Sequence, residues 1–203
     1  SKRPSLYRSI PMVGRGVYDT RRFLMKIFNN IFESKLLYEI IDYYNKIKVD
    51  HTGEPAHFWT NDAWPEGIVK DSGVVLCTDV RDIFGQKIFE TCYHNQVFYD
   101  EKGNDLGHPS NSSIMLYSWK RYSYIPFHSD GHCDVGATLF LNPEWEKDWG
   151  GAQIYYDKDR YVLEYPEFNK MCVHYDNSPH STTMVHPAAP DRLTLQLFFS
   201  FDE

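Results

Sequence analysis

Near residue 113 the chain changes its hydrophobic period, and no other feature constrains the fold as much. Before that point apolar residues recur every three or four positions. After it they alternate, and alternation sends successive side chains to opposite faces of an extended strand. Eight short segments of this second kind (113–119, 121–128, 135–142, 151–157, 161–164, 171–175, 180–186 and 192–201) are separated by clusters of Gly, Pro, Asn and Asp. Short strands in that number, following a helical half, predict a mainly β chain of the α+β class. The β unit is closed or double-sheeted, with helices covering its outer face.

The last segment shows what the two faces are for. In Arg192-Leu-Thr-Leu-Gln-Leu-Phe-Phe-Ser, one side presents Leu193, Leu195, Leu197 and Phe199, and the other Arg192, Thr194 and Gln196. A strand that is apolar on one side and carries a cation on the other lies between a packed core and something wet. If the helices cover the apolar side, the polar side lines a cavity.

Three amphipathic segments supply helices. Asp19-Thr20 offers an N-cap for a first helix with apolar positions Phe23, Leu24, Ile27, Ile31 and Phe32. Leu36, Leu37, Ile40, Ile41, Tyr44 and Ile47 mark a second, and Ile83, Phe84, Ile88, Phe89, Cys92, Tyr93 and Val97 a third. Residues 1–18 read as an arm or edge strand, 50–73 as a long loop, 74–80 as a short strand, and 101–112 as a turn-rich closure of the helical part. At 203 residues the chain fits one domain, with 1–112 as helical support and loops and 113–203 as the β unit.

Composition narrows the partners. With 21 basic against 28 acidic residues, a net charge of -7 and no basic run, nucleic acid is not expected as a partner. No segment approaches a membrane span or a signal peptide, and Cys77, Cys92, Cys133 and Cys172 include no CxxC pair. The expectation is a soluble, cytoplasmic protein with reduced, buried thiols. Oligomeric state is not legible.

The chemistry concentrates in His128-Ser-Asp130. On a strand, residues i and i+2 project together, so an imidazole and a carboxylate stand side by side as two of the three ligands of a 2-His-1-carboxylate metal site. Composition alone would give about one His-x-Asp, by matching against a template, so the motif needs support. His132-Cys-Asp134 and His174-Tyr-Asp176 also occur. The last is disfavoured because His180 and His186 follow it too closely for an intervening strand. For the other two pairs His180 is the favoured distal ligand, with Arg192 beyond it. Asp134 abuts the apolar strand that follows and reads as its polar start, which favours 128/130 over 132/134.

The order of these pieces resembles the 2-oxoglutarate/Fe(II)-dependent dioxygenase superfamily, in its prolyl-4-hydroxylase-like branch. The matching residues are His128-Ser-Asp130, Ala137-Thr-Leu-Phe-Leu-Asn142, Trp145, Trp149-Gly-Gly-Ala-Gln-Ile-Tyr-Tyr156, His180-Ser-Thr-Thr-Met-Val185 and Arg192-Leu-Thr194. They span about residues 113–201. The resemblance implies a double-stranded β-helix (a jelly roll, or cupin-like barrel) with the N-terminal helices packed on the larger sheet.

It also implies Fe(II) held by His128, Asp130 and His180, and 2-oxoglutarate held at its distal carboxylate by the Arg192 fork, with Thr194 on the same strand face. O2 is the oxidant, and ascorbate belongs to the expected cofactor set. Phe140 stands where some hydroxylases of this branch place a tyrosine that contacts 2-oxoglutarate, leaving Tyr117 or Thr138 to supply that bond. An intact Asp130 points to hydroxylation or another oxidation rather than halogenation. The substrate would be an amino acid, a peptidyl proline or a related small molecule, entering past an aromatic wall of Trp59, Trp64, Trp119, Tyr122 and Tyr124. The competing reading is a non-catalytic jelly-roll module that binds a sugar or a structural metal.

Overall fold

The computed structural model describes residues 25–49, 60–61, 72–100, 103–131, 133–157, 160–175 and 178–202. The chain runs β1 (Met25–Asn29), α1 (Ser34–Val49), β2 (Thr60–Asn61), β3 (Val75–Asp79), α2 (Arg81–His94), β4 (Asn111–Trp119), β5 (Ile125–His128) and β6 (Val135–Phe140). A 3-10 turn (Lys147–Trp149) follows, then β7 (Gln153–Asp157), β8 (Arg160–Glu164), β9 (Lys170–Tyr175), β10 (His180–Thr182) and β11 (Arg192–Ser200). Among the described residues these form a seven-stranded sheet, β1-β9-β6-β11-β4-β3-β2, and a four-stranded sheet, β5-β10-β7-β8. Every pairing is antiparallel, and the chain passes repeatedly between the sheets: the double-stranded β-helix.

The larger sheet is two-faced, as β11 predicts. Leu193, Leu195, Leu197 and Phe199 join Leu116, Leu139, Met171 and Val173 in one core with Leu37 and Ile40 of α1 and Ile88 and Cys92 of α2. Full burial of such an aliphatic side chain contributes about 1.5–3 kcal/mol, so this face anchors the helices. Because paired residues project to the same side, the register Trp119↔Arg192, Tyr117↔Thr194, Thr194↔Phe140 and Gln196↔Thr138 puts all seven on the other face, toward the smaller sheet.

All eight predicted strands beyond 113 are present. Two fall four residues short of their expected bounds. β5 starts at Ile125, because Arg121-Tyr122 is a turn with Tyr122 at φ 65°. β10 ends at Thr182, and a lone bridge between Gly150 and Val185 replaces further pairing.

The predicted helix around 19–32 is a correction: Met25–Asn29 is a strand, and residues before 25 lie outside the described set. It pairs with β9 from Met25↔His174 to Asn29↔Lys170. Ile27 and Ile31 match a helical spacing, but β9 would otherwise end the sheet as an open edge of unpaired N–H and C=O groups. That non-local demand wins over a short local period. Asn169 then fastens the exit, its side-chain amide donating to the Phe32 carbonyl (2.8 Å) and its carbonyl accepting from the Phe32 N–H (3.3 Å).

Candidate metal centre

His128 ends β5 and His180 opens β10, and the two strands pair with these residues in direct register. Asp130 follows β5 by two residues, in a turn held by the Cys133 N–H on the Asp130 carbonyl (3.2 Å). One ligand atom from each of His128, Asp130 and His180 lies within 4.8 Å of the others. Residues fifty positions apart are thus brought together by strand pairing.

The tautomers are set by the backbone. His128 Nδ1 lies 2.9 Å from the Pro126 carbonyl and His180 Nδ1 lies 3.0 Å from that of Ser178. A carbonyl only accepts, so both Nδ1 atoms carry hydrogen; in the neutral ring Nε2 then presents a lone pair beside the carboxylate, and a proton taken up on His128 Nε2 is donated to it. This is the arrangement in which outer hydrogen bonds orient metal-binding imidazoles.

The electrostatics agree. Burial, then the neighbouring His174 and His128, pushes His180 down to about 3, keeping it neutral. Burial works to raise Asp130, but hydrogen bonds from His128 and His174 prevail and hold it well below the carboxylate range. At His128 burial works to lower the pKa, but the Asp130 and Pro126 contacts outweigh it, leaving a net rise. Burial, then Asp130 and Asp134, pushes the nearby Cys133 thiol up to about 12, so it offers no competing thiolate.

Arg192 lies inside the barrel at 0% exposure. Its Nε and both terminal nitrogens make no hydrogen bond among the described residues. The guanidinium sits between two rings, 4.9 Å from the Trp119 centroid and 5.1 Å from that of Phe140. Asn142 brackets its backbone, accepting from the Leu193 N–H (2.7 Å) and donating to the Asp191 carbonyl (2.9 Å). Gly151, at φ 65°, gives way to its stem, since a Cβ there would fall 2.7 Å from Arg192 Cδ. A buried cation without an acceptor is costly, and no described residue supplies one, so the geometry of this fork suits an anion.

Thr194 lies beside it and accepts hydrogen bonds from Trp119 Nε1 and Gln196 Nε2, both at 3.2 Å, which leaves its own hydroxyl hydrogen to donate. Thr138 donates to Gln196 Oε1 at 2.9 Å and so joins this chain of bonds. Tyr117 is buried beside Trp119 and in register with Thr194. The donor set therefore fits a divalent metal, and the orphaned Arg192 fork fits a carboxylate.

Other expectations fall differently. Trp119 is no rim residue; it is buried over Arg192. Tyr122 is 52% exposed, whereas Trp59, Trp64, His132 and Asp176 lie outside the described residues. His186 is exposed, its Nδ1 accepting the Ala188 N–H. Sequence reasoning missed His174, discarded as a motif partner yet 3.0 Å from Asp130 Oδ2 through its Nε2. Strand parity was the available signal: Met171, Val173 and Tyr175 face the core, so His174 must face inward.

The fold is the double-stranded β-helix, the architecture also seen in solved prolyl-4-hydroxylases and 2-oxoglutarate-Fe(II) oxygenases. No protein-family model matches the sequence, and no curated protein does. Among solved structures, a Pseudomonas putida prolyl-4-hydroxylase superposes with a TM-score of 0.69 at 12% identity, covering 88% of this chain and 93% of that one. A Trichoplax adhaerens prolyl hydroxylase, solved with a hypoxia inducible factor peptide fragment, gives 0.67 at 17% identity over 88% and 83%. The non-heme α-ketoglutarate-dependent epimerase SnoN from nogalamycin biosynthesis gives 0.57 at 9% identity over 88% and 79%. At these identities the likeness is one of fold.

Proposed function

We propose that residues 1–203 form a single Fe(II)- and 2-oxoglutarate-dependent oxygenase domain. It hydroxylates an unactivated C–H of an amino acid, a peptidyl proline or a related small molecule, and 2-oxoglutarate leaves as succinate and CO2. The observation that carries this reading is the pairing of two features inside one barrel. One is two Nε2 lone pairs and a carboxylate within 4.8 Å. The other is a fully buried guanidinium with no hydrogen-bond acceptor among the described residues.

In this reading His128, Asp130 and His180 hold the iron, which supplies activation of O2 coupled to decarboxylation of the oxo acid. Arg192 grips the distal carboxylate through its planar fork, and Thr194 donates its hydroxyl hydrogen to the same group. Phe140 and Trp119 exclude water from that end, which strengthens both contacts. Phe140 takes the place of a hydroxyl with a ring face on the guanidinium, and Tyr117 is the remaining hydroxyl in register with Thr194.

Anaerobic protein loaded with Fe(II) tests the proposal. Adding 2-oxoglutarate should produce a weak metal-to-ligand charge-transfer band in the visible. Iron-replete protein without that band would be a jelly-roll binding module instead. Uncoupled 2-oxoglutarate turnover, screened over amino acids and proline-containing peptides, then locates the substrate.

A further inference from the structure

We propose that His174 is a positioning residue for the metal centre: its Nε2–H holds the Asp130 carboxylate, and position 136 is glycine to admit the ring. The inference rests on the metal-binding reading above and deepens it.

His174 projects from the inward face of β9, opposite the core-facing Met171, Val173 and Tyr175, and is 3% exposed. Its Nε2 lies 3.0 Å from Asp130 Oδ2. An ionised carboxylate only accepts, so the hydrogen sits on His174 Nε2. That is the opposite tautomer to His128 and His180, whose Nδ1–H groups are fixed on backbone carbonyls. The three imidazoles therefore divide their work: two aim lone pairs into the ligand set, and the third gives a hydrogen to its carboxylate.

The ring is fitted from both sides. It lies 4.2 Å from the His180 ring, centroid to centroid, at an interplanar angle of 34°. On the other side is Gly136, its register partner, where a Cβ would fall 2.1 Å from His174 Nε2 and 2.5 Å from Cε1. Gly136 is not among the positive-φ residues, so close approach, not backbone conformation, demands glycine there. Packing alone does not explain His174. Its Nδ1 is buried without a hydrogen-bond partner among the described residues, a defect that an apolar side chain would avoid. With Oδ2 engaged by His174, the carboxylate cannot turn freely. Its Oδ1 stays toward His128 Nε2, at 3.5 Å.

The test titrates the metal-free full chain with Co(II) alone, in competition with a chromophoric chelator, and records the Co(II) d–d spectrum. The variants are H174L, H174Q, H174A, G136A and G136A/H174A. Gln retains an N–H donor near the position of Nε2, and Leu does not. H174L and G136A should each weaken Co(II) by about 10–100-fold, the usual effect of losing an outer-shell partner, while H174Q stays within about threefold of the wild type. The ligand-field spectrum should keep its ligand count. G136A/H174A should bind no more weakly than H174A, because the methyl added at position 136 acts only through the ring it displaces. This comparison, with circular dichroism of each variant, separates the effect from misfolding.

Wild-type affinity in H174L, equal losses in H174L and H174Q, additive losses in the double variant, or a changed ligand count each overturn the inference while leaving the metal site in place. Wild-type protein that fails to bind Co(II) overturns the metal-binding reading and the inference with it.

Discussion

Replacing Arg192 by Met should make the ligand-free protein more stable and deaf to 2-oxoglutarate. Burial lowers the Arg192 pKa from its ordinary value to about 9. A fall of that size corresponds to about 5 kcal/mol against the charged form. The two ring contacts, at 4.9 and 5.1 Å, return about 0.5–2 kcal/mol each. The net burden of the unpaired cation is then about 1–4 kcal/mol, the range in which hydrophobic replacement of buried charge stabilises proteins.

Thermal melting of metal-free protein should therefore show a rise of about 2–4 °C for each kcal/mol recovered in a chain of this size. With metal and 2-oxoglutarate at about one hundred times its Kd, the wild type should gain about 2.7 kcal/mol by mass action. In the variant that gain should fall below about 1 kcal/mol, because losing one partner of a buried charge pair costs about 2–5 kcal/mol of affinity. Iron binding should be nearly unchanged. A ligand-free variant that melts below the wild type would refute the reasoning, since it would mean that the guanidinium serves the fold and is not awaiting an anion.

Other outcomes follow from the same geometry. His128→Ala, Asp130→Ala and His180→Ala should each abolish Fe(II)-dependent turnover of 2-oxoglutarate, while His186→Ala, exposed in a turn, should retain most of it; the reverse order would mean that the distal ligand is misassigned. Metal affinity should fall on acidification, because the proton competing for the site sits on His128. The His128 pKa is raised from 6.5, so the loss begins above that pH and deepens as pH falls, at about tenfold per pH unit. His180, at about 3, and Asp130, held lower than usual, bind no proton in that window, so isothermal titration should show one proton released per metal. Gly151→Ala should both strain a backbone at φ 65° and press on the Arg192 stem, costing about 1–3 kcal/mol by denaturant melts. It should weaken 2-oxoglutarate more than iron.

Much of this was legible along the chain because the signals are local. Alternation over a few residues marks a strand wherever it lies, so the eight strands after 113 and both faces of Arg192–Ser200 could be read in advance. The spacing of Leu36, Leu37, Ile40, Tyr44 and Ile47 likewise marks α1. His128 and Asp130 stand two residues apart, so their proximity was legible, although Asp130 lies in the turn after β5 and not on the strand. The remote imidazole that meets them, His180, was reached by order and spacing, with Arg192 beyond it.

The alternation that makes a helix-backed β barrel, and the residue types that suit a metal with an anion behind it, are written along the chain. Which distant groups meet came from packing. Met25–Asn29 became a strand because β9 had an edge to cover, Trp119 left the predicted rim to lie on Arg192, and His174 came to rest on Asp130 through the space left at Gly136. The physical reason is that period and propensity act over a turn or two of chain. The partner across a sheet depends on the register of strands separated by dozens of residues, and no local pattern encodes that.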